Sequence, residues 1–192
     1  MTPNPPSRVL SIVVCGAGPA VEIETFVKMA FDRGWTVHVI ATPAALAFFD
    51  QATIEALTRN PVRSQYSPPG APRSQTPDAI AVAPATYNTI NKWAQGIADT
   101  YALGMLAEKT GLGVPIAVLP FVNIALASRA PFQQSVKSLR AEGVSILLGP
   151  GAFEPHQPRT PGSSFDDYPW HLALDEVDGM VGAADEDQDA DV

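Results

Sequence analysis

The chain has 192 residues, the length of one ordinary domain that can bury a core without disulfides. Its 12 basic and 20 acidic side chains give a formal net charge of -8, which argues against a nucleic-acid-binding surface. The one cysteine, Cys15, excludes an intramolecular disulfide, and no apolar run has the length of a membrane span or the pattern of a secretory signal. We therefore expect a cytoplasmic protein without a nucleic-acid or membrane partner.

Five apolar runs of strand length recur along the chain. They are nearly continuous and rich in Val and Ile, which is typical of parallel strands covered on both faces. The predicted strands are residues 9–14, 36–41, 79–83, 115–120 and 144–149. Helix-like segments occupy residues 20–34, 43–60, 88–111, 131–143 and 170–181, and Gly34 and Gly143 are predicted helix ends. The alternation predicts an α/β fold: a three-layer, doubly wound parallel sheet of the Rossmann or flavodoxin-like kind.

Two segments interrupt the alternation of strands and helices. Residues 61–77 and 150–169 are rich in Pro and Ser and are predicted loops, and loops this long in a compact domain are usually functional. Residues 183–192 are acidic and lack apolar periodicity, which predicts a disordered tail. We therefore predict one domain over residues 1–182, followed by this tail.

Small or polar residues follow several of the predicted strands. Ligands of open parallel sheets bind at the carboxyl ends of the strands, so these residues are candidates for a site. The first strand is followed by Gly16-Ala17-Gly18, which suits close backbone approach to an anion, although a plain tight turn explains it equally well. Thr42 follows the second strand, where helix capping is an equally good explanation. Asn123 follows the fourth strand among apolar neighbours, and its amide needs partners if it is buried.

Two stretches carry a family resemblance. Residues 84–99, PATYNTINKWAQGIAD, resemble the PASANT motif of the flavin-dependent cysteine decarboxylase family and its continuation. Residues 119–147 are similar to the second signature of that family, a Pro-x-Met-Asn run before a helix. The family includes lantibiotic peptidyl-cysteine decarboxylases, phosphopantothenoylcysteine decarboxylases and, more distantly, flavin prenyltransferases. The resemblance extends over about residues 8–150.

The resemblance implies an FMN cofactor and a set of residues that bind it. These cofactor-binding residues are Gly16, Ala17, Gly18, Thr42, Ala83, Pro84, Ala85, Thr86 and Asn88. The first four would hold the FMN phosphate and ribityl chain, and residues 83–86 would run along the flavin ring. Asn88 would also fix the loop, and Asn123 would meet the substrate carboxylate.

The chain departs from the family pattern where the decarboxylases carry a histidine. The matching position lies near Gly70, and no histidine occurs between His38 and His156. His156, in the loop at residues 150–169, could replace this base, or it could be a solvated loop histidine. Tyr87 stands where the family usually has Ala, and it could stack near the flavin, narrow the substrate pocket or pack at a subunit contact.

The resemblance leads to one favoured function. We expect an FMN-dependent enzyme that oxidatively decarboxylates a C-terminal peptidyl cysteine to an enethiol during the maturation of ribosomally made peptides. Its expected catalytic residues are Asn123, Asn88 and His156, and its expected partner is a cysteine-containing peptide. Family members form homo-oligomers, so we expect a trimer or dodecamer, for which the segment between Trp93 and Leu106 offers an apolar surface.

Three alternatives remain open. A phosphopantothenoylcysteine decarboxylase-like enzyme is less favoured, because that activity relies on the missing histidine. A non-decarboxylating FMN-binding protein that regulates or binds a partner would not need that base. A prenyltransferase-like enzyme would need clustered cations near the flavin, for which Arg129, Lys137 and Arg140 are available.

Overall fold

The fold is built on a single parallel sheet. The computed structural model describes residues 8–66, 68, 70, 75–158 and 165–190. Five strands pair in the order β2-β1-β3-β4-β5. They are β1 (Val9–Val14), β2 (Thr36–Ala41), β3 (Ala79–Ala85), β4 (Ile116–Pro120) and β5 (Ser145–Ile146). The strand order reverses between β1 and β3, and in such sheets this switch point is where ligands bind.

Helices cover the sheet in two groups. In the described part they are α1 (Ile23–Asp32), α2 (Gln51–Thr58), α3 (Tyr87–Ala94), α4 (Tyr101–Gly111), α5 (Ile124–Ala127), α6 (Ala130–Ala141) and α7 (Trp170–Ala190). Helix α7 packs on α1, β3 and β4, whereas α3 packs on α4 and α6. This arrangement confirms the predicted three-layer, doubly wound parallel fold. Among the residues described, no helix has the length and hydropathy of a membrane span.

The strands and helix ends follow from the sequence. Every residue of β1, β3 and β4 is buried, which is why these runs are apolar on both faces. Helix α1 ends at Gly34, whose φ is 84°, with Trp35 N–H donating to Ala30 C=O at 3.1 Å. Helix α6 ends in the same way at Gly143. Glycine adopts this left-handed conformation without a steric penalty, so the predicted helix ends are confirmed.

The predicted helix over residues 88–111 is two helices, because local capping overrides its continuous apolar pattern. Helix α3 stops before Gly96, whose φ is 70°, and Ile97 N–H donates to Lys92 C=O at 2.9 Å. Thr100 then caps α4 by accepting from Leu103 N–H at 3.3 Å. These two end signals allow the chain to turn between α3 and α4.

The last helix is longer than the sequence predicts. Its backbone is helical through Ala190, although the acidic composition of residues 183–192 predicts a disordered tail. The helix is nucleated by its buried face, and each further residue then adds a hydrogen bond to an existing helix. Trp170 in its first turn stacks on Phe26 with ring centroids 4.9 Å apart, and Arg33 binds Asp175 at 2.7 Å.

Candidate functional site

The turn after β1 lies against the loop after β2, at the switch point of the sheet. A Cβ added to Gly16 would lie 2.9 Å from Ala44 Cβ and 3.0 Å from the Ala44 backbone, so a side chain does not fit there. A Cβ on Gly18 would overlap the ring of Phe165. Ala17 between them is buried. The turn is therefore a narrow cradle lined by backbone, and backbone N–H groups at such turns suit a phosphate.

Thr42 adds a hydroxyl to this cradle. It is only 9% exposed, and its backbone N–H donates to Val14 C=O at 2.9 Å. It precedes the short helical turn Pro43–Ala47, yet its side chain makes no capping hydrogen bond. Capping therefore does not explain Thr42, and its hydroxyl remains able to bind a ligand.

The loop after β3 satisfies its own polar groups. Ala83, Pro84 and Ala85 are buried at the end of the strand. Thr86 caps α3, its Oγ1 accepting from Thr89 N–H at 3.2 Å, so this hydroxyl is already engaged. Asn91 bonds within α3, donating to Tyr87 C=O at 2.8 Å.

Asn88 lies exposed on the first turn of α3. The N-cap position of this helix belongs to Thr86, two residues before Asn88, and Thr86 bonds the end of the loop to the helix. The role that the resemblance gives to Asn88, to fix the loop and line the site, therefore stays a prediction.

Cys15 lies beneath these loops as a structural thiol. It is fully buried, and its backbone N–H donates to Pro84 C=O at 3.1 Å, which joins the turn after β1 to the end of β3. Burial raises the pKa of the Cys15 thiol, although hydrogen bonds with Thr89 and Thr86 partly oppose this. A thiol with a raised pKa stays protonated and is a poor nucleophile.

Asn123 presents an amide donor after β4. It caps α5, and its Oδ1 accepts from Leu126 N–H at 2.9 Å. Because the oxygen of the amide is used by the cap, the orientation of the side chain is fixed and Nδ2 is left to donate. A donor held in this way can bind a carboxylate.

His156 lies beside Asn123, as the hypothesis of a replacement base requires. The two residues form a parallel bridge, and Ile124 N–H donates to His156 C=O at 2.9 Å. The imidazole stacks on Phe121 with ring centroids 4.6 Å apart. Its Nδ1 is buried and has no hydrogen-bond partner among the described residues. Buried nitrogens of this kind nearly always have partners, so a ligand is the natural partner here.

Residues 150–169, which we call the flap, contact both the turn after β1 and the end of β4. Of these, residues 159–164 lie outside the described part. His156 fixes one end of the flap to the end of β4, and the Phe165 ring covers Gly18 after β1. The described parts of the flap thus contact the carboxyl edge of the sheet at the ends of β4 and β1.

Tyr168 anchors the second end of the flap, a role that sequence reasoning missed. Its hydroxyl donates to Leu119 C=O at 2.6 Å, and the residue is buried. Burial is the main cause that raises the pKa of Tyr168 well above its ordinary value, so the phenol stays neutral. The sequence signal for this anchor is weak, because it is only an aromatic residue two positions before the first residue of the last helix.

A cavity lies elsewhere, along β2. It has a volume of about 940 Å³, and His38, Arg63, Tyr66 and Gly70 contribute to its lining. The missing family histidine would match a position near Gly70, which lines this cavity. The strand ends remain the candidate site, because Thr42, Asn123 and His156 each lie at a strand end.

The segment between Trp93 and Leu106, which we expect to offer an apolar surface to a second copy, is buried at both ends. Trp93 and Leu106 are 5% and 0% exposed and pack into the core of the protomer, whereas Ile97 between them is 41% exposed. A subunit contact through this segment stays a prediction.

The chain matches a family of known proteins over most of its length. A family model described as Flavoprotein matches residues 2–164. The chain is 30% identical over 145 residues to the coenzyme A biosynthesis bifunctional protein CoaBC of Escherichia coli, covering 71% of this chain and 34% of that protein. The corresponding protein of Vibrio cholerae is 25% identical over 148 residues, covering 73% and 36%. The chain therefore spans about a third of the length of these curated relatives.

Solved structures share the fold. The FMN-dependent cysteine decarboxylase SpaF superposes with a TM-score of 0.61 at 25% identity, covering 74% of this chain and 83% of its own. HAL3 from Cryptococcus neoformans gives 0.72 at 17% identity, covering 92% and 97%, and the cypemycin decarboxylase CypD gives 0.69 at 22% identity, covering 93% and 96%. The last two identities support the fold alone. The family match includes all five strands and, together with the FMN-dependent neighbour SpaF, confirms the expected FMN cofactor. The chain thus belongs to the flavoprotein family, with FMN-dependent cysteine decarboxylases among its structural neighbours.

Proposed function

We propose that the protein oxidatively decarboxylates a C-terminal peptidyl cysteine with FMN as cofactor. The observation that carries this proposal is the pairing of Asn123 with His156. The first offers an amide donor for a carboxylate, and the second has a buried nitrogen without a partner among the described residues. The bridge between them places both groups at the same strand end.

The cradle after β1 and β2 would hold the cofactor. Gly16, Gly18 and Thr42 would bind its phosphate and ribityl chain, and the buried end of β3 would lie along the ring. When bound, FMN would supply the acceptor for the two electrons that leave the cysteine side chain.

Asn123 and His156 would then act on the substrate directly. Asn123 Nδ2 would hold the carboxylate, and His156 Nδ1 would accept the thiol proton. Loss of that proton and of a hydride from the β-carbon gives a thioaldehyde. The bond from the α-carbon to the carboxylate then breaks, its electron pair moves toward the sulfur, and protonation yields the enethiol and carbon dioxide.

The flap would exclude water from this reaction. Phe121 lies 5.9 Å from both Phe165 and Tyr168, measured between ring centroids, and 6.0 Å from Phe153. Such an aromatic cluster lowers the local dielectric constant and strengthens the hydrogen bonds to the carboxylate. A peptide would have to lie beneath it, so the flap would act as a clamp.

The test is anaerobic mixing of the FMN-loaded protein with a peptide that ends in cysteine. We expect the yellow colour to bleach and the peptide to lose the elements of formic acid in mass spectrometry. His156→Gln should keep the flavin spectrum and lose the peptide reaction. His171→Gln is the matched control, since His171 is exposed on α7. A yellow protein that leaves every cysteine peptide intact would contradict the proposed reaction.

A second candidate function, a non-decarboxylating FMN-binding protein, is favoured by one specific observation. The family histidine would match a position near Gly70, and no histidine occurs between His38 and His156, so a regulatory or partner-binding FMN protein without decarboxylase activity is consistent with the sequence. Tight FMN binding without turnover of peptide or phosphopantothenoylcysteine would favour it. The geometry gives less support to a prenyltransferase, because Arg129 and Arg140 lie at opposite ends of α6, roughly 16 Å apart at 1.5 Å per residue.

The proposal also includes the cellular location and the oligomeric state of the protein. We propose a cytoplasmic homo-oligomer, a trimer or a dodecamer, on the family resemblance. Size-exclusion chromatography with light scattering tests the assembly, and a monomeric holoprotein would contradict it.

A further inference from the structure

Ser11 is a polar residue in the middle of a strand that is otherwise apolar. Strand β1 lies between β2 and β3, and its sequence is VLSIVV. Ser11 is only 5% exposed, and none of the residues that the structure describes hydrogen-bonds to its hydroxyl. Buried hydroxyls nearly always have partners, so a partner from outside the chain is expected. An apolar residue would suit this strand better, which is typical of a position kept for function.

His38 lies beside Ser11 on the same face of the sheet. The two residues are partners in the register of β1 with β2, so their side chains begin about 5 Å apart, the spacing of neighbouring strands. The imidazole is half-buried, and no hydrogen bond joins it to another residue in the described part of the chain. Burial, and secondarily the charge of Arg63, lowers the pKa of His38, which favours the neutral ring. A neutral imidazole offers one donor and one acceptor.

Both side chains line the cavity along β2, which we call the β2 cavity. Its volume of about 940 Å³ suits a small organic ligand. Asn60, which also lines it, donates from Nδ2 to Val37 C=O at 3.2 Å and to Thr58 C=O at 3.0 Å. These bonds fix the amide and leave Oδ1 as an acceptor without a partner among the described residues. The floor of the cavity thus offers donors and acceptors that carry no charge.

Tyr66 and Tyr101 form an aromatic wall of the β2 cavity. Their ring centroids lie 5.2 Å apart, and the ring planes are 85° from parallel. Gly104, inside α4, makes room for Tyr66, because a Cβ at this position would overlap the Tyr66 hydroxyl. Glycine in a helix interior is less favourable than alanine, so this position of the tyrosine is kept at the expense of the helix. Tyr66 is 66% exposed, and its ring can stack on a planar ligand.

We infer that the β2 cavity binds an uncharged planar heterocycle that carries donors and acceptors along one edge, as a nucleobase does. The ring lies against Tyr66, and its edge meets Ser11, His38 and Asn60. A charged group is disfavoured at this floor, because the buried neutral groups there do not compensate a charge. Arg63 and Lys109 also line the cavity, so the heterocycle has two sources: a nucleoside, or a nucleotide whose phosphate lies near these cations.

The β2 cavity is separate from the candidate site at the strand ends. Ser11 and His38 each lie three residues before the end of their strand, which is roughly 10 Å along a strand. The inference therefore does not depend on the proposed reaction, and it assigns a second ligand in addition to FMN.

The experiment is a calorimetric titration of the full-length protein, loaded with FMN and freed of excess FMN. The probes are adenosine, guanosine, cytidine and uridine, and ribose is the control that lacks a base. We expect at least one nucleoside to bind once per chain with a Kd below about 1 mM, with the flavin spectrum unchanged. The 5′-monophosphate of that nucleoside distinguishes the two sources. Tighter binding of the monophosphate identifies a nucleotide, and equal or weaker binding identifies a nucleoside.

Ser11→Ala separates a ligand-binding role from a structural one. It should weaken binding by about 3- to 10-fold, the effect of one neutral hydrogen bond. The melting temperature should be kept or raised, because the change removes a hydroxyl without a partner from the core. Ser128→Ala removes an exposed hydroxyl and is the matched control, with binding unchanged. Gly104→Ala should displace Tyr66 and weaken the binding of every nucleoside, with the flavin spectrum kept.

Three outcomes would overturn the inference: no nucleoside binds to the natural sequence, ribose binds as tightly as the nucleosides, or Ser11→Ala leaves the affinity unchanged. Release of flavin by a nucleoside would also overturn it, because the probe would then occupy the FMN site. The failure of the proposed function has a different signature. A protein that binds a nucleoside but never decarboxylates cysteine peptides keeps the β2 site and refutes the reaction, and a decarboxylase that binds no nucleoside does the reverse.

Discussion

The two halves of the candidate site are built in different ways. The half proposed to bind the flavin, after β1 to β3, consists of backbone and small residues in short turns directly after strands, such as Gly16, which lies against Ala44 in the loop after β2. The half proposed to bind the substrate depends on a bridge between Asn123, after β4, and His156 in the flap. The first half is held by the strand ends of the sheet, and the second requires the flap to dock. Cofactor binding and chemistry should therefore be separable by mutation.

The strongest test of this separation is Asn123→Asp. Asp is an equally good N-cap, so its oxygen should still accept from Leu126 N–H and the stability should be kept. The amide donor, however, becomes a negative charge that repels the substrate carboxylate. We expect kcat/KM to fall by about 10²–10³-fold, the effect of losing one oriented donor, with FMN binding unchanged. An unchanged rate would show that Nδ2 does not meet the carboxylate.

Asn123→Ala separates the two roles of the side chain. It removes the cap as well as the donor, so it should also cost about 1 kcal/mol of unfolding free energy. Urea unfolding of both variants measures this difference. Equal stability of the Ala and Asp variants would contradict the capping role.

The two glycines after β1 give the next largest effect, and the two should behave differently. Gly16→Ala brings a Cβ to within 3.0 Å of the Ala44 backbone, which cannot move aside, and we expect a loss of about 1–3 kcal/mol. Gly18→Ala meets only the ring of Phe165, so it should displace the flap instead. Limited proteolysis reports the flap, and urea unfolding reports the fold.

The added change Phe165→Ala distinguishes the two cases. Measured against Phe165→Ala alone, Gly18→Ala should then cost little unfolding free energy, and Gly16→Ala should remain destabilising. Rescue of both variants, or of neither, would show that the contact between Phe165 and Gly18 is not formed.

Tyr168→Phe tests whether the flap can be loosened without loss of flavin binding. The change removes the hydrogen bond to Leu119 C=O and leaves this carbonyl buried. We expect about 0.5–1.5 kcal/mol of destabilisation and faster proteolysis of the flap, with the flavin spectrum kept. Loss of the flavin would contradict this prediction, because it would show that flavin binding requires the anchored flap.

The smallest effect concerns His38, which lies outside both halves. Burial, and secondarily the charge of Arg63, lowers the pKa of His38 below that of an unfolded chain. The unfolded state therefore takes up the proton first, and stability should fall as the pH falls through about 6.5. The slope should stay well below about 1.4 kcal/mol per pH unit, because the ring is partly exposed. His38→Gln should flatten this part of the profile, and an unchanged profile would assign the slope to other groups.

The sequence predicts the flavin half better than the substrate half. Strands and turns show in local patterns, so β1, β2 and the glycine turn could be placed in advance. The capping of α3 by Thr86 and the break before Tyr101 depend on which competing end signal is satisfied. The docking of Tyr168 on Leu119 has almost no local signature, because tertiary packing decides it.

The C-terminal helix α7 determines where this chain can be truncated without loss of the fold. The family match ends at residue 164, before α7, yet α7 covers β3 and β4, and its first turn follows Tyr168. A fragment that ends at residue 164 would lack α7, so β3 and β4 would be exposed on that side of the sheet. The flap would also lose the hydrogen bond of Tyr168 to Leu119 C=O. The minimal folding unit therefore extends beyond the segment that the family has in common. A fusion partner would have to be attached after this helix and not before it.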